Sequence, residues 1–163
     1  MTRAIFPGTF DPVHYGHVDI ARRAARIVDE LVVAVYSRPL KDLLFSTEER
    51  VRLLEEAIEG IPNAWVGQYD CLTVDYARAQ GAQVIVRGLR VFSDFEFEFR
   101  MALTNQRLAP GVEMMFLMTR EEHTFLTSST VKEVAFLQGN ITSMVPPHVC
   151  RALQVRCASD QGE

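Results

Sequence analysis

Two histidines, His14 and His17, stand three residues apart where an apolar run gives way to a helical pattern. The apolar run Ala4–Phe6 has the character of a buried strand, and Pro7-Gly8 ends it, because proline cannot donate to a sheet and glycine permits tight turns. Apolar residues then recur at helical spacing over residues 18–28. The pattern predicts a strand, a glycine-containing loop and a helix start.

This junction has the features of a phosphate site. Backbone N–H groups at a helix N-terminus lack intrahelical partners, and the helix dipole is positive there, so anions bind at such ends. An ordinary βα turn, in which a histidine merely fills space, is the alternative interpretation. The presence of Thr9 together with both histidines favours the phosphate site.

Three cations follow other predicted strands. Lys41 lies in the polar loop Ser37–Asp42, and Arg87 and Arg90 follow the apolar run Val84–Val86. A loop lysine is commonly only solvated, whereas an arginine at the end of a buried strand requires an anionic partner. The planar fork of arginine donors suits phosphate oxygens. The alternative partners are the nearby carboxylates of Asp94, Glu96 and Glu98.

A cluster of hydroxyl groups at residues 127–130 precedes a further helical pattern. Such hydroxyls commonly cap a helix, and Thr130 with Glu133 has the spacing of a capping box. The functional interpretation adds phosphate contacts from these hydroxyls and the N-terminal N–H groups.

The elements that must position these side chains alternate between strand and helix. Strands are predicted at residues 4–6, 31–36, 64–69, 84–86 and 114–118, and helices begin near residues 16, 46, 73, 94 and 130. This alternation predicts an α/β fold, a Rossmann-like doubly wound five-stranded parallel sheet with helices on both faces. Because ligands bind beyond the carboxyl ends of such strands, we expect the polar and cationic groups to meet at one edge of the sheet.

The segment Ser93–Phe99 alternates polar and aromatic residues, as a strand would. Ser93 and Glu96, however, have the spacing of a capping box, and no breaker follows, so we predict a helix at about 94–108. On that helix Glu98 and Asn105 share one face. The three phenylalanines cannot all face one core, and we expect part of this set to pack against a second subunit. They are Phe95, Phe97 and Phe99.

Composition bounds the remaining possibilities. The chain has 163 residues, 48% of them hydrophobic and 23% charged, which predicts a single domain (1–163) with a frayed tail at 158–163. Its net charge of −4 argues against a nonspecific nucleic-acid binder. The three cysteines lack metal-ligand spacing, no apolar run approaches a membrane span, and no signal-peptide pattern opens the chain. We therefore expect a cytoplasmic protein without membrane or nucleic-acid partners.

Several motifs resemble those of the H-x-G-H nucleotidyltransferase superfamily. His14–His17 matches that signature, Pro7–Pro12 and Arg87–Arg90 are similar to the bacterial phosphopantetheine adenylyltransferase family, and residues 127–132 resemble the superfamily's I-S-S-T-x-x-K/R element. The resemblance extends from Ala4 to about Leu153. It implies an enzyme that transfers adenylyl from ATP to 4′-phosphopantetheine, giving dephospho-coenzyme A and pyrophosphate.

The same resemblance assigns roles to single residues. It implies that His17, Lys41 and Thr9 are catalytic, and that 4′-phosphopantetheine contacts Thr9, Lys41, Thr73 and Arg87. The implied ATP contacts are Thr9, Phe10, His17, Gly88, Leu89, Arg90, Glu98, His123, Thr124, Phe125, Leu126, Thr127, Ser128 and Ser129.

Magnesium is implied as a companion of ATP, with no protein metal ligands, and the family forms a homohexamer. One alternative is another nucleotidyltransferase of the superfamily, with nicotinamide mononucleotide or glycerol phosphate as the acceptor. Arg87–Arg90 and the acidic, aromatic segment after it argue against that alternative. A noncatalytic nucleotide-binding module is the second alternative, and the presence of Thr9, His17 and Lys41 argues against it.

Overall fold

Residues 1–160 are described by a computed structural model, in which five strands form one sheet. The order across the sheet is β3-β2-β1-β4-β5, and every neighbouring pair is parallel. This confirms the predicted Rossmann-like doubly wound α/β fold. The strands are β1 (Arg3–Gly8), β2 (Glu30–Tyr36), β3 (Ala64–Tyr69), β4 (Val84–Leu89) and β5 (Glu113–Met118).

The described residues also form six α-helices, which cover both faces of the sheet. They are α1 (Tyr15–Ala25), α2 (Thr47–Ile58), α3 (Thr73–Ala79), α4 (Phe92–Leu108), α5 (Ser128–Phe136) and α6 (Pro147–Asp160). Side chains of β1 alternate between the faces: Phe6 packs in the core with α1, α2, α5 and α6, and Ile5 packs in the core with α3. Burial on both faces explains why β2 is a continuous apolar run.

The strand order reverses at β1. The chain winds outward from β1 to β3 and then returns to β4 on the other side, so that Ile5 lies opposite both Val32 and Ile85. The loops that follow β1 and β4 therefore leave the sheet in opposite directions and open a crevice between them. Ligands of α/β proteins bind in this kind of crevice.

Two local predictions were wrong. Strand β4 continues to Leu89, which pairs with Met118, so Arg87 lies within the strand instead of after it. The helix predicted at about 94–108 is confirmed as α4 (Phe92–Leu108), with Val91 as its N-cap and with the Asp94 carboxylate of its first turn bonded to Arg90. The predicted Ser93–Glu96 capping box is therefore absent from the described helix start.

The cap of α5 also differs from the prediction. The Thr127 hydroxyl accepts a hydrogen bond from the Thr130 N–H, so the helix begins three residues before the predicted Thr130–Glu133 box. An earlier residue of the same hydroxyl cluster, Thr127, therefore caps the helix in place of Thr130. The capping box of α2 is as predicted, with Ser46 and Glu49 each bonding the other's backbone N–H.

At the C-terminal end, α6 includes residues 158–160, which the sequence had placed in a frayed tail. The buried side chains of Leu153 and Cys157 hold the last turns of this helix against the core. Residues 161–163 lie outside the described residues. Within residues 1–160, no helix combines the length and apolar character needed to cross a membrane.

Candidate active site

A cleft of about 830 Å³ opens at the carboxyl edge of the sheet, beside the ends of β1 and β4. Its volume lies in the range of small-molecule binding sites. It brings together most of the predicted site residues, from five separate segments of the chain. Those that line it are Thr9, Phe10, His17, Lys41, Thr73, Arg87, Gly88, Arg90, Glu98, His123, Leu126, Thr127, Ser128 and Ser129.

Three predicted ATP contacts lie outside this lining. The backbone of Leu89 accepts a hydrogen bond from Thr119 N–H, and the Thr124 hydroxyl donates to the Glu121 carbonyl. Phe125 is 54% exposed. Backbone N–H groups of residues 124–125 remain close in sequence to the lining residues His123 and Leu126.

The two histidines form one stacked unit at the start of α1. Their ring centroids are 3.6 Å apart, His14 Nδ1 accepts from the Gly16 N–H, and His17 Nδ1 accepts from the His14 N–H. This reciprocal arrangement is a capping box built from imidazoles. Because His17 Nδ1 is an acceptor, the proton of the neutral ring resides on Nε2, which is then the donor.

Both imidazoles are neutral. Burial, followed by the charges of Arg90 and His123, lowers the pKa of His14 from 6.5 to about 3. Burial also lowers the pKa of His17 well below its usual range, and His14, Arg87 and Arg90 add to that effect. His17 can therefore donate a hydrogen bond at neutral pH without carrying a full charge.

Aromatic packing fixes the His17 ring from the other side. Phe10 contacts His17 edge to face with centroids 4.9 Å apart, and it contacts Phe6 in the same way at 5.6 Å. Phe10 has a positive φ of 52°, which turns its ring back over Gly8. A Cβ on Gly8 would lie 2.9 Å from the Phe10 ring, so glycine is required there.

Arg87 crosses the floor of the cleft and is paired with Glu98 of α4. Its Nε lies 3.0 and 3.1 Å from the two carboxylate oxygens, its Nη2 lies 2.6 Å from Oε1, and its Nη1 donates to the Pro7 carbonyl at 2.9 Å. Glu98 and Asn105 are the buried residues of α4 and both line the cleft, which confirms that they share a face. The structure therefore shows Arg87 paired with one of the nearby carboxylates that the sequence analysis named as alternative partners.

Arg90 is paired in the same way with Asp94. Its Nε and Nη2 lie 3.0 Å from the two Asp94 oxygens, and its Nη1 donates to the Leu126 carbonyl at 3.2 Å. Burial alone would raise the pKa of Asp94, but the hydrogen bonds and the charge of Arg90 together outweigh it and lower the pKa, so this carboxylate is ionised. Arg90 therefore links the end of β4 to the loop before α5.

The remaining cleft residues hold polar groups around its rim. Lys41 is exposed at the mouth, and the Thr73 hydroxyl is 3.0 Å from the Tyr69 hydroxyl at the end of β3. At the start of α5 the Ser128 hydroxyl donates to the Pro12 carbonyl, whereas Ser129 is exposed. The N-terminal end of α5 thus faces the same cleft as the N-terminal end of α1.

Sequence reasoning missed a buried charged network beneath the cleft. Asp11 is 1% exposed and Arg50 is fully buried. Arg50 donates to the carbonyls of Thr9 and Tyr36 at 2.7 and 2.9 Å, and so ties the loop after β1 to the end of β2. A signal for Arg50 was present: it occupies a position on the apolar face of α2, together with Leu53, Leu54 and Ile58.

No set of three or more His, Cys, Asp or Glu side chains within residues 1–160 is grouped so as to hold a metal ion. The carboxylates that line the cleft, Asp94 and Glu98, are each committed to an arginine. The donor set of the cleft therefore suits anions. A divalent cation would have to be bound mainly by the phosphates that it accompanies.

Comparison with known proteins agrees with this geometry. Residues 5–134 match the family model described as cytidylyltransferase-like. A protein of Aquifex aeolicus (strain VF5) named phosphopantetheine adenylyltransferase is 51% identical over 93% of this chain and 94% of its own length. A protein of the same name from Roseiflexus sp. (strain RS-1) is 52% identical over 94% of this chain and 96% of its own length. A third, from Thermomicrobium roseum, is 52% identical over 93% of this chain and 92% of its own length.

A solved structure described as that of a nicotinate-nucleotide adenylyltransferase from Vibrio parahaemolyticus superposes with a TM-score of 0.68. The alignment covers 94% of this chain and 99% of that one, at 17% sequence identity. At that identity the likeness supports the fold and says nothing about the acceptor substrate.

Proposed function

The chain belongs to the cytidylyltransferase-like family and, within it, to the phosphopantetheine adenylyltransferases, and on this premise we propose that it transfers the adenylyl group of ATP to 4′-phosphopantetheine. The products are dephospho-coenzyme A and pyrophosphate. The observation that carries this proposal is that Thr9, His17 and Lys41 line one cleft together with Arg87 and Arg90. Two crowded anionic reactants need this combination of donors and cations.

The reaction needs no strong base. An oxygen of the acceptor phosphate attacks the α-phosphorus of ATP, the bond from that phosphorus to the bridging oxygen breaks, and the electron pair leaves with pyrophosphate. A phosphate monoester has a second pKa of about 6 and is mostly dianionic at neutral pH. The protein has to bring the reactants into line and stabilise the charge that spreads over the transferred group.

In this proposal His17 is the preorganised donor to the α-phosphate. Its Nδ1 is held by the His14 N–H, so the Nε2 proton is available in a fixed ring orientation. Lys41, at the mouth of the cleft, carries the positive charge that bridges the acceptor phosphate and the α-phosphate. Thr9 orients the incoming phosphate from the loop after β1.

The two substrates occupy opposite sides of the β4 end. Arg87 anchors the phosphate of 4′-phosphopantetheine, and Thr73 contacts the pantetheine arm. Contacts of Arg87 within residues 1–160 use three of the five N–H groups that an arginine carries, so two remain for phosphate. The ATP side is formed by Phe10, Gly88, Arg90, Glu98, His123 and residues 126–129, all of which line the cleft.

Magnesium would enter this site as the MgATP complex. Its role is to neutralise the triphosphate and the leaving pyrophosphate. The phosphate oxygens would be its main ligands, since the carboxylates lining the cleft are engaged by arginines.

We further propose that the chain acts in the cytoplasm as a homo-oligomer, a hexamer by family resemblance. The free thiols of Cys71 and Cys150 suit a reducing compartment. Phe92, Phe95 and Phe99 stack on the outer side of α4 and are 90%, 48% and 49% exposed, a patch that suits contact with a second copy.

The decisive experiment is mass-spectrometric detection of dephospho-coenzyme A from MgATP and 4′-phosphopantetheine. Nicotinamide mononucleotide and glycerol 3-phosphate serve as matched acceptors in parallel reactions, with pyrophosphate release as the common readout. We expect release with 4′-phosphopantetheine and only background release with the other two. Turnover with either of those acceptors at a comparable rate would contradict the assignment, and absence of turnover with all three would favour a nucleotide-binding module.

A further inference from the structure

Asp11 is a buried carboxylate that the reaction itself does not explain. It is 1% exposed, and its oxygens accept hydrogen bonds from the backbone N–H groups of Leu44 and Phe45, each at 2.9 Å. Its third partner is the ammonium group of Lys132, at 3.0 Å. A buried charge with such a set of partners is held in one place, because its burial is tolerated only while every partner is present.

Asp11 and its three partners come from three segments that build the cleft. Asp11 itself lies two residues after Thr9, in the loop after β1. Leu44 and Phe45 lie three and four residues after Lys41, at the end of the loop between β2 and α2. Lys132 is on α5, whose first residue, Ser128, also bonds the carbonyl of Pro12 beside Asp11.

Lys132 differs from Lys41 in how its charge is used. Its ammonium group is paired with Asp11, and its side chain is 21% exposed. Lys41 lines the cleft, whereas Lys132 is not among the described residues that line it. The basic residue of the I-S-S-T-x-x-K/R element is therefore placed in this chain as a counter-ion within the protein.

We propose that Asp11 is the positioning residue for Lys41, and that Lys132 serves as the counter-ion of Asp11 and not as a phosphate ligand. By fixing the N–H groups of Leu44 and Phe45, Asp11 sets where the Lys41 loop ends relative to Thr9 and to the start of α5. This inference rests on the proposed adenylyl transfer, in which Lys41 bridges the two reacting phosphates. Misplacement of such a group is costly even when the group itself is unchanged.

The test is a double-mutant cycle between Asp11→Asn and Lys41→Ala. Asparagine keeps the size of the side chain but removes its charge and places an NH2 group among donors. We expect Asp11→Asn to lower kcat roughly 10- to 100-fold, whereas Lys41→Ala lowers it roughly 100- to 1000-fold in the wild-type background. In the Asp11→Asn background Lys41→Ala should cost less than about ten-fold, because the two residues act as a unit.

Lys132→Met is expected to act in the same direction as Asp11→Asn and to add little to it. Asp19→Asn is the matched control: Asp19 is also buried and paired with arginines, but it lies outside the described cleft lining, and kcat should stay within about two-fold of wild type. Effects of Asp11→Asn and Lys41→Ala that multiply would overturn the proposal. A rise in the KM of ATP in Lys132→Met with no change in kcat would overturn the role given to Lys132.

A readout without turnover separates this inference from the proposed function. Hydrogen exchange of the Leu44 and Phe45 amides should become at least about ten-fold faster in Asp11→Asn, and stay as in wild type in Asp19→Asn. Unchanged exchange at both amides would overturn the proposal even in an active enzyme. An inactive wild-type chain with the expected exchange pattern would refute the adenylyl transfer and, with it, the role given to Lys41, while the anchoring of the loop would stand.

Discussion

Glu98 holds the guanidinium of Arg87 in a bidentate ion pair, with Nε–O distances of 3.0 and 3.1 Å and an Nη2–Oε1 distance of 2.6 Å. Glu98 is 6% exposed and lies on α4, whereas Arg87 lies on β4. The pair therefore joins a helix to the floor of the cleft. The carboxylate could compete with a substrate phosphate for Arg87, or it could orient Arg87 toward that phosphate.

The cost of stranding a buried charge decides between these two roles. If Arg87 left Glu98 for phosphate, the buried carboxylate would lose its partner, which costs roughly 3–5 kcal/mol. Orientation is thus favoured, and Glu98→Gln should raise the KM for 4′-phosphopantetheine about ten-fold, through loss of a charge-assisted contact. Steady-state kinetics measures this. Glu96→Gln, in an exposed pair with Arg100 on the same helix, is the control, and a lower KM in Glu98→Gln would instead indicate competition.

Removal of the His17 side chain should impair chemistry more than binding. In the proposed mechanism the ring supplies one preorganised donor, and loss of such a donor costs roughly 2.7–4 kcal/mol of transition-state stabilisation. His17→Ala is therefore expected to lower kcat about 100- to 1000-fold, with ATP affinity, measured by equilibrium titration, changed only a few-fold. Turnover near the wild-type rate would remove His17 from the mechanism.

Stability should fall as pH falls from 7 to 5, because the folded state keeps the cleft imidazoles neutral. The pKa of His14 is lowered from 6.5 to about 3, so between these values the unfolded chain binds more protons than the folded one. The contribution is fully present above pH 6.5 and is lost as pH approaches 3. At pH 5 the loss from His14 is about 2 kcal/mol, and His17 adds to it in the same direction.

Urea unfolding of His14→Asn at pH 7 and pH 5 tests this origin. Asparagine can still cap the Gly16 N–H, so the helix start is kept while the titrating group is removed. The pH-dependent loss should shrink by about 2 kcal/mol relative to wild type. His148→Asn, which leaves both cleft imidazoles in place, is the comparison, and an unchanged pH slope in His14→Asn would assign the effect to other groups.

The phenylalanine patch of α4 should control self-association. Phe95 lies between Phe92 and Phe99, with ring centroids 6.4 and 5.7 Å away, so Phe95→Ser interrupts the stack. Sedimentation at micromolar concentration should show an oligomer for wild type and a smaller species for the variant. Val155→Ser, on the exposed side of α6, is the control. A monomeric wild-type chain would contradict the proposed homo-oligomer.

Sequence patterns predicted the parts of the molecule that local rules govern. Apolar runs located all five strands of the sheet, and the rule on strand ends brought Thr9, His17 and Lys41 to one cleft. Caps at ambiguous positions were assigned less well, since Thr127 and Thr130 both offer a hydroxyl and the choice depends on where Ser128 meets Pro12. Tertiary contacts, not spacing, settled that choice.

The buried network beneath the cleft was beyond local rules for the same reason. Lys132 and Asp11 are 121 residues apart, and Arg50 reaches the Thr9 carbonyl across 41 residues. Charged residues on a helix are most often solvated, so the position of Arg50 on the apolar face of α2 was unusual and could be seen in the sequence. The sequence pattern could not, however, identify what Arg50 binds. Its distant partners, at Thr9 and Tyr36, are backbone carbonyls, which leave no trace in the sequence.

Arg50→Lys should therefore be costly although it preserves charge. Burial lowers the pKa of the Arg50 guanidinium, and its Nη1 serves both the Thr9 and Tyr36 carbonyls while Nη2 donates to the Thr47 hydroxyl. A single ammonium cannot reproduce this fork, so at least one buried acceptor loses its donor, at about 1–3 kcal/mol of unfolding free energy. Because the Thr9 carbonyl moves with it, kcat should fall as well. Urea unfolding measures the free energy of unfolding, and steady-state assays measure kcat. Arg52→Lys, exposed on the same helix, is the control and should change neither. An Arg50→Lys variant with wild-type stability and kcat would show that the network does not position the loop after β1.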